Sequence, residues 1–164
     1  MKIIVGLGNP GKQYEKNRHN VGFMLLDDYV SKKNLSWSEE KKLQGEVSKH
    51  EDLVLVKPDT FMNASGDCVS KVLSYYKVGL DDLVVIHDDV DLEFGKTVFK
   101  KGSGSAGHHG VEDIILKVGS QDFWRYRVGV GRPENVDLEV SDWVLSDLSS
   151  AQLDDIRNIP FPIS

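Results

Sequence analysis

The chain has 164 residues, 40% of them hydrophobic and 28% charged, with a net charge of −6 and a pI near 5.3. That size and balance suit one compact domain and are far from disordered or collagen-like compositions. The acidity argues against a general nucleic-acid binder, which is usually basic. The longest apolar runs, such as Ile3–Val5 and Leu83–Ile86, are too short to span a bilayer. Glycines arrive at Gly6 and Gly8, before a signal-peptide core can form. The single cysteine, Cys68, has no internal disulfide partner, so a reducing, cytoplasmic setting is expected.

Lys2–Leu7 reads as a buried strand ending in a glycine turn. Asn20–Lys33 carries Val21, Met24, Leu25, Tyr29 and Val30 at helical spacing. Leu53–Val56 is a second buried strand, stopped by Lys57-Pro58. Ala64–Tyr76 is again helical, with Val69, Val72, Leu73 and Tyr76 on one face. Asp82–Ile86 and Lys96–Lys100 read as strands, the latter feeding the loop Lys101–His108. Val111–Val118 is predicted helical, Tyr126–Val130 a strand, Val140–Leu145 a shorter strand and Asp147–Asn158 a last helix. Strands alternating with helices predict a single-domain α/β fold over residues 1–164, with a twisted mixed, mostly parallel sheet flanked by helices. Active groups in such folds gather in loops beyond the strand ends.

Gly6-Leu7-Gly8-Asn9-Pro10-Gly11 fits a dinucleotide-binding pattern and follows a strand. That fingerprint also needs a helix opening at the glycines and an acid ending the next strand. The residues after Gly11 are polar and not amphipathic, and Asp27 and Asp28 fall inside a helix. No nicotinamide or other cofactor is expected. The glycines are better explained as a sharp turn that carries Asn9 to a cleft.

Chemistry concentrates in His19, Asn9, the run Thr60–Gly66, the acidic stretch His87–Leu92 and the loop before Gly110. A histidine and an aspartate at strand-end loops can form a base dyad. The carboxylate fixes one ring N–H, and the other nitrogen takes a proton from water. His19 and Asp88 are the pair of choice, expected within about 3.2 Å of each other. Asparagines at converging loops can hold a substrate amide or donate to a developing oxyanion. Each residue also has a plainer explanation. His19 sits where a surface residue precedes an N-cap at Asn20, Asn63 suits a cap for the helix at Ala64, and Asp88–Asp91 suits a solvated turn. His108, His109 and the aspartates could hold a metal, but they lack the spacing of zinc and calcium sites, and no metal is expected.

Six ordered motifs resemble the bacterial peptidyl-tRNA hydrolase family: G-L-G-N-P-G at 6–11, R-H-N-V-G at 18–22, P-x-T-F-M-N-x-S-G at 58–66, H-D-D-V-D-L at 87–92, G-S-A-G-H-x-G at 104–110 and R-V-G-V-G-R-P at 127–133. The resemblance implies a metal-independent hydrolase that cleaves the ester between a peptide and the 3′-terminal ribose of tRNA, recycling tRNA in translation as a cytoplasmic monomer. It implies that His19 is the catalytic base, that Asp88 orients it, and that Asn9 separates N-blocked from free aminoacyl-tRNA. It assigns substrate contact to Tyr14, Phe61, Met62 and Asn63, and the terminal phosphate to Lys100 and Arg127. Residues 95–132 hold seven Lys or Arg against three acids, a surplus of +4 that leaves −10 elsewhere. A local grip on a few phosphates fits that split.

Three features depart from the family pattern. His109 stands where an asparagine usually helps to bind substrate. Glu134–Glu139 is acidic where a basic lid residue is frequent. The C-terminus, with Pro160 and Pro162, is shorter than usual. These departures keep open an RNA- or partner-binding homologue with weak or no activity, and a small-molecule esterase using the same dyad. Retention of His19, Asp88, Asn9 and Asn63 opposes the first, and Lys100 with Arg127 opposes the second.

Overall fold

Strand β1 (Lys2–Gly6) is almost wholly buried, because its apolar residues are sandwiched between two helical layers. A computed structural model describes residues 1–163. The remaining elements, in chain order, are α1 (Val21–Lys32), β2 (Ser38–Glu40), β3 (Gly45–His50), β4 (Leu53–Pro58), α2 (Ser65–Tyr76), β5 (Leu83–Asp89), β6 (Thr97–Lys101), α3 (His109–Val118), β7 (Trp124–Gly129), α4 (Val140–Val144) and α5 (Ser150–Arg157). The seven strands form one mixed sheet in the order β2-β3-β4-β1-β5-β7-β6. Its central strands β4, β1, β5 and β7 run parallel, and the antiparallel pairings lie at the two edges.

Successive residues of a strand face opposite sides. Ile3, Val5, Val56 and Val85 accordingly pack under α2 and α3 with Val69, Val72, Val111 and Ile114. Ile4, Leu55, Val84 and Ile86 pack under α1 and α5 with Leu25, Leu26 and Ile156. No helix among the described residues is long and apolar enough to cross a membrane.

The structure corrects two expectations and adds two strands. Val140–Leu145 is the helix α4, not a strand. Val140 and Val144 are four residues apart and so share one helical face, whereas a strand would turn adjacent residues to opposite sides. The last helix begins at Ser150 rather than Asp147, because Ser149 and Gln152 form a reciprocal capping box that fixes its start. Strands β2 and β3 carried no recognised signal: β2 is exposed throughout, and β3 mixes Gly, Glu, Ser and Lys with a single valine.

The glycine motif serves packing. A Cβ at Gly6 would collide with the carbonyl oxygen of Gly22, and one at Gly22 with the Leu7 backbone. Backbone therefore meets backbone where β1 ends and α1 begins. Gly11, at φ +115°, leads into a single 3-10 turn, Lys12–Tyr14, and not into a nucleotide-binding helix.

Candidate active site

Close packing of the β1 end against the first turn of α1 brings residues 18–20 beside Asn9. The Asn20 side chain makes no cap bond to its helix. Its Oδ1 accepts from the Asn9 backbone N–H at 2.9 Å, and its Nδ2 donates to the Asn9 carbonyl, also at 2.9 Å. The Asn9 side-chain oxygen in turn accepts from the Met62 backbone N–H at 2.7 Å. An N–H can point only at the amide oxygen, so the Asn9 NH₂ is the group left to face the cleft. Three chain segments are thus fastened around one asparagine.

Asp88 lies near the end of β5 and is 3% exposed. Its Oδ2 meets His19 Nδ1 at 2.8 Å, and its Oδ1 meets His108 Nε2 at the same distance. His108 caps α3, and its Nδ1 accepts from the Val111 N–H. An accepting Nδ1 carries no proton, so His108 donates its Nε2–H to Asp88. His19 donates through Nδ1, which leaves its Nε2 lone pair free. Burial pushes the Asp88 carboxyl up, but the two histidines, by charge and hydrogen bonds, outweigh it and hold it well below the usual carboxylate range. His87 faces the opposite way along β5 and donates Nδ1–H to the Asp88 carbonyl at 2.8 Å. Burial and neighbouring His108 push its pKa down to about 3, so it remains neutral.

These groups line one cavity of about 600 Å³, together with Phe61, Met62, Asn63, His109 and the α4 segment Glu139–Leu145. Of the residues expected at the site, Asn9, His19, Phe61, Met62, Asn63, Asp88 and His109 meet there. Tyr14 stands just outside, edge-on to Phe61 at 6.3 Å between ring centres. Asn63 is exposed and caps nothing, because the helix starts at Ser65 with Ala64 as its uncapped first flank. Lys100 and Arg127 do not line the cavity. Lys100 lies on the edge strand β6 and Arg127 on the adjoining strand β7, and Arg127 Nε donates to Asp89 at 2.7 Å beside the cleft.

His108 and α4 had no assigned place in this site. The signal for His108 was its position one residue before a helix that opens at a Gly-rich loop, the place of an N-cap. Ligand atoms of His19, Asp88 and His108 all lie within 4.8 Å of one another, a set of two imidazoles and one carboxylate with the donor chemistry for a metal ion. His109 is outside that set.

The family profile described as peptidyl-tRNA hydrolase matches residues 3–160. The peptidyl-tRNA hydrolase of Metamycoplasma arthritidis is 41% identical over 169 residues, covering 96% of this chain and 93% of the relative. That of Listeria monocytogenes is 44% identical over 160 residues, covering 95% and 84%. The crystal structure of peptidyl-tRNA hydrolase from Acinetobacter baumannii superposes with a TM-score of 0.88 at 30% identity, over 96% of this chain and 82% of that one.

Proposed function

The chain belongs to the peptidyl-tRNA hydrolase family, and from that premise we propose how its own residues hydrolyse the ester between a peptide and the 3′-terminal ribose of tRNA. The observation that carries the assignment is the 2.8 Å contact between His19 Nδ1 and Asp88 Oδ2 at the wall of the cleft. His19 Nε2 takes a proton from water as the water oxygen attacks the ester carbonyl. Asp88 remains a carboxylate, fixes the ring tautomer and stabilises the imidazolium that forms. The Asn9 NH₂, pre-oriented by Met62 and Asn20, binds the acyl end of the substrate, with Asn63 as a second amide on the same wall. Collapse of the tetrahedral intermediate breaks the bond to the ribose oxygen, and the His19 imidazolium returns its proton to that oxygen. The products are the free peptide acid and tRNA with an intact 3′-hydroxyl. No step is assigned to a metal.

Phe61, Met62 and Tyr14 form the apolar side of the peptide path. Lys100 and Arg127 hold a phosphate of the tRNA end. The proposed enzyme is one catalytic domain over 1–164, working as a monomer in the cytoplasm, where charged tRNA is used.

The test is turnover of N-blocked aminoacyl-tRNA. His19→Ala is expected to lose about 10²–10⁴-fold in kcat with the circular dichroism of the parent. Near-parent turnover by that variant sinks the assignment. A parent protein that binds the tRNA without cleaving it establishes the binding-homologue reading instead.

A further inference from the structure

The residue before the proposed base has an environment that His19 itself does not explain. Arg18 is 7% exposed. Its Nη1 donates to Ser146 Oγ at 2.7 Å and to the carbonyls of Ser146 and Asp147, each at 3.2 Å. Its guanidinium carbon lies 3.5 Å from the centre of the Trp143 ring, within cation–π range. The backbone joins the same contact: Arg18 N–H donates to the Ser146 carbonyl, and Leu148 N–H to that of Lys16. Asn17 Nδ2 reaches Asp147 Oδ1 at 2.6 Å, and residues 17 and 147 form an isolated bridge. At the other end, Trp143 Nε1–H donates to the Gly131 carbonyl at 2.7 Å. Segment 131–148 is therefore a strap fastened at both ends, and the fastening runs through Trp143 and Arg18.

The middle of that strap is a wall of the cleft. Glu139, Val140, Ser141, Val144 and Leu145 line the same cavity as Asn9 and Asn63. Burying a guanidinium mainly against neutral oxygens is unfavourable until its hydrogen bonds are made. An apolar side chain would fasten the strap at lower cost, but would not fix the direction of its contacts. What the guanidinium adds is geometry: a planar group aimed at three oxygens while stacked on an indole.

We propose that Arg18 is a positioning residue that makes the α4 wall and the turn carrying His19 one rigid unit, so that peptide held on the wall meets the base in register. This rests on the reading of His19 as the base. Displacing a catalytic group by about 1 Å can cost 10²-fold in rate. Nothing comparable follows from loss of stability alone, provided rates are compared per folded protein well below the melting temperature.

Arg18→Lys keeps the charge and loses the stack and the planar aim of Nη1. It is expected to lower kcat about tenfold or more for N-blocked aminoacyl-tRNA while KM changes less than threefold. Trp143→Phe is expected to act in the same direction, less strongly, and the double variant to be no slower than Arg18→Lys alone, because both break one unit. Parent-like kcat in folded Arg18→Lys overturns the proposal, and so do single effects that multiply in the double variant. Should Arg18→Lys fail to fold, Ser146→Ala carries the same comparison with Arg18 in place: a fall in kcat supports the coupling, and parent-like kcat and KM overturn it. Failure of the underlying reading would appear separately, as turnover retained by His19→Ala.

Discussion

His108 and His19 grip opposite oxygens of the Asp88 carboxylate at the same distance, 2.8 Å. The second contact settles what the carboxylate can do. With both oxygens engaged by ring N–H donors and the group almost fully buried, Asp88 is held in one rotamer and kept ionised, despite the cost of its burial.

From this relationship, His108→Ala is expected to lower kcat about tenfold to a hundredfold, the range of one lost hydrogen bond to a charged group. It also strips the cap from α3. His108→Gln separates the two effects. Its Nε2 can reach Asp88, but it offers no acceptor where Nδ1 meets Val111. The glutamine variant should therefore recover most of the rate while remaining less stable than the parent. Equal kcat in the alanine variant and the parent would make His108 a cap and nothing more.

Buried His87 makes a prediction about acid stability. Its folded pKa, about 3, lies below the ordinary value of 6.5. The unfolded chain therefore takes up a proton that the folded chain refuses. Its contribution to stability is present above 6.5 and is lost as pH falls from there towards 3, by about 1.4 kcal/mol per unit. Asp88 is depressed in the carboxylate sense. Its contribution is present above its ordinary value of 3.8 and disappears only below it, so the two windows are separable. His87→Asn keeps a donor for the Asp88 carbonyl and cannot titrate. Urea unfolding at about pH 7.5, 6 and 5 should give a shallower acid slope for that variant. Superimposable slopes would assign the acid loss to other groups.

Phosphate contact should divide unequally between Lys100 and Arg127. Arg127 already gives its Nε to Asp89, whereas Lys100 is exposed on the edge strand. Each phosphate neutralised contributes about 0.7–0.9 to the slope of log affinity against log salt. Lys100→Ala is expected to remove about that much from the KM–salt slope, and Arg127→Ala a smaller amount. Slopes unchanged in both variants would end the phosphate assignment.

The sequence made the chemistry more legible than its arrangement. Apolar runs such as Ile3–Val5 and Leu83–Ile86 announce central strands because both of their faces must be buried. Strands β2 and β3 escaped because an edge pair exposes polar residues, and pairing with β4 decides their conformation rather than their own composition. Val140–Leu145 misled because β-branched residues favour strands, while its packing needs only one apolar stripe. His19 and Asp88 are 69 residues apart, and no local pattern joins them. Their pairing follows from their places in strand-end loops and from the motif order. Arg18 was invisible as a strap anchor because its partner Trp143 lies in a segment read as a strand and Ser146 falls between predicted elements.

His109 is the chain's departure from the family within the cleft itself. It is exposed at the first turn of α3 and lines the same cavity as Asn63, where the family's asparagine would offer the peptide both a donor and an acceptor from one flexible amide. A neutral imidazole also carries one of each, but on different edges of a rigid ring, and a protonated one offers two donors and no acceptor. The ring can therefore satisfy at most one side of a substrate amide in a given pose. His109→Asn is expected to raise kcat/KM for N-blocked aminoacyl-tRNA about fivefold to tenfold, the equivalent of one good hydrogen bond. The measurement is kcat/KM for both proteins under the same conditions. An asparagine variant that is no faster than the parent would leave His109 as a residue that lines the cleft without touching the substrate.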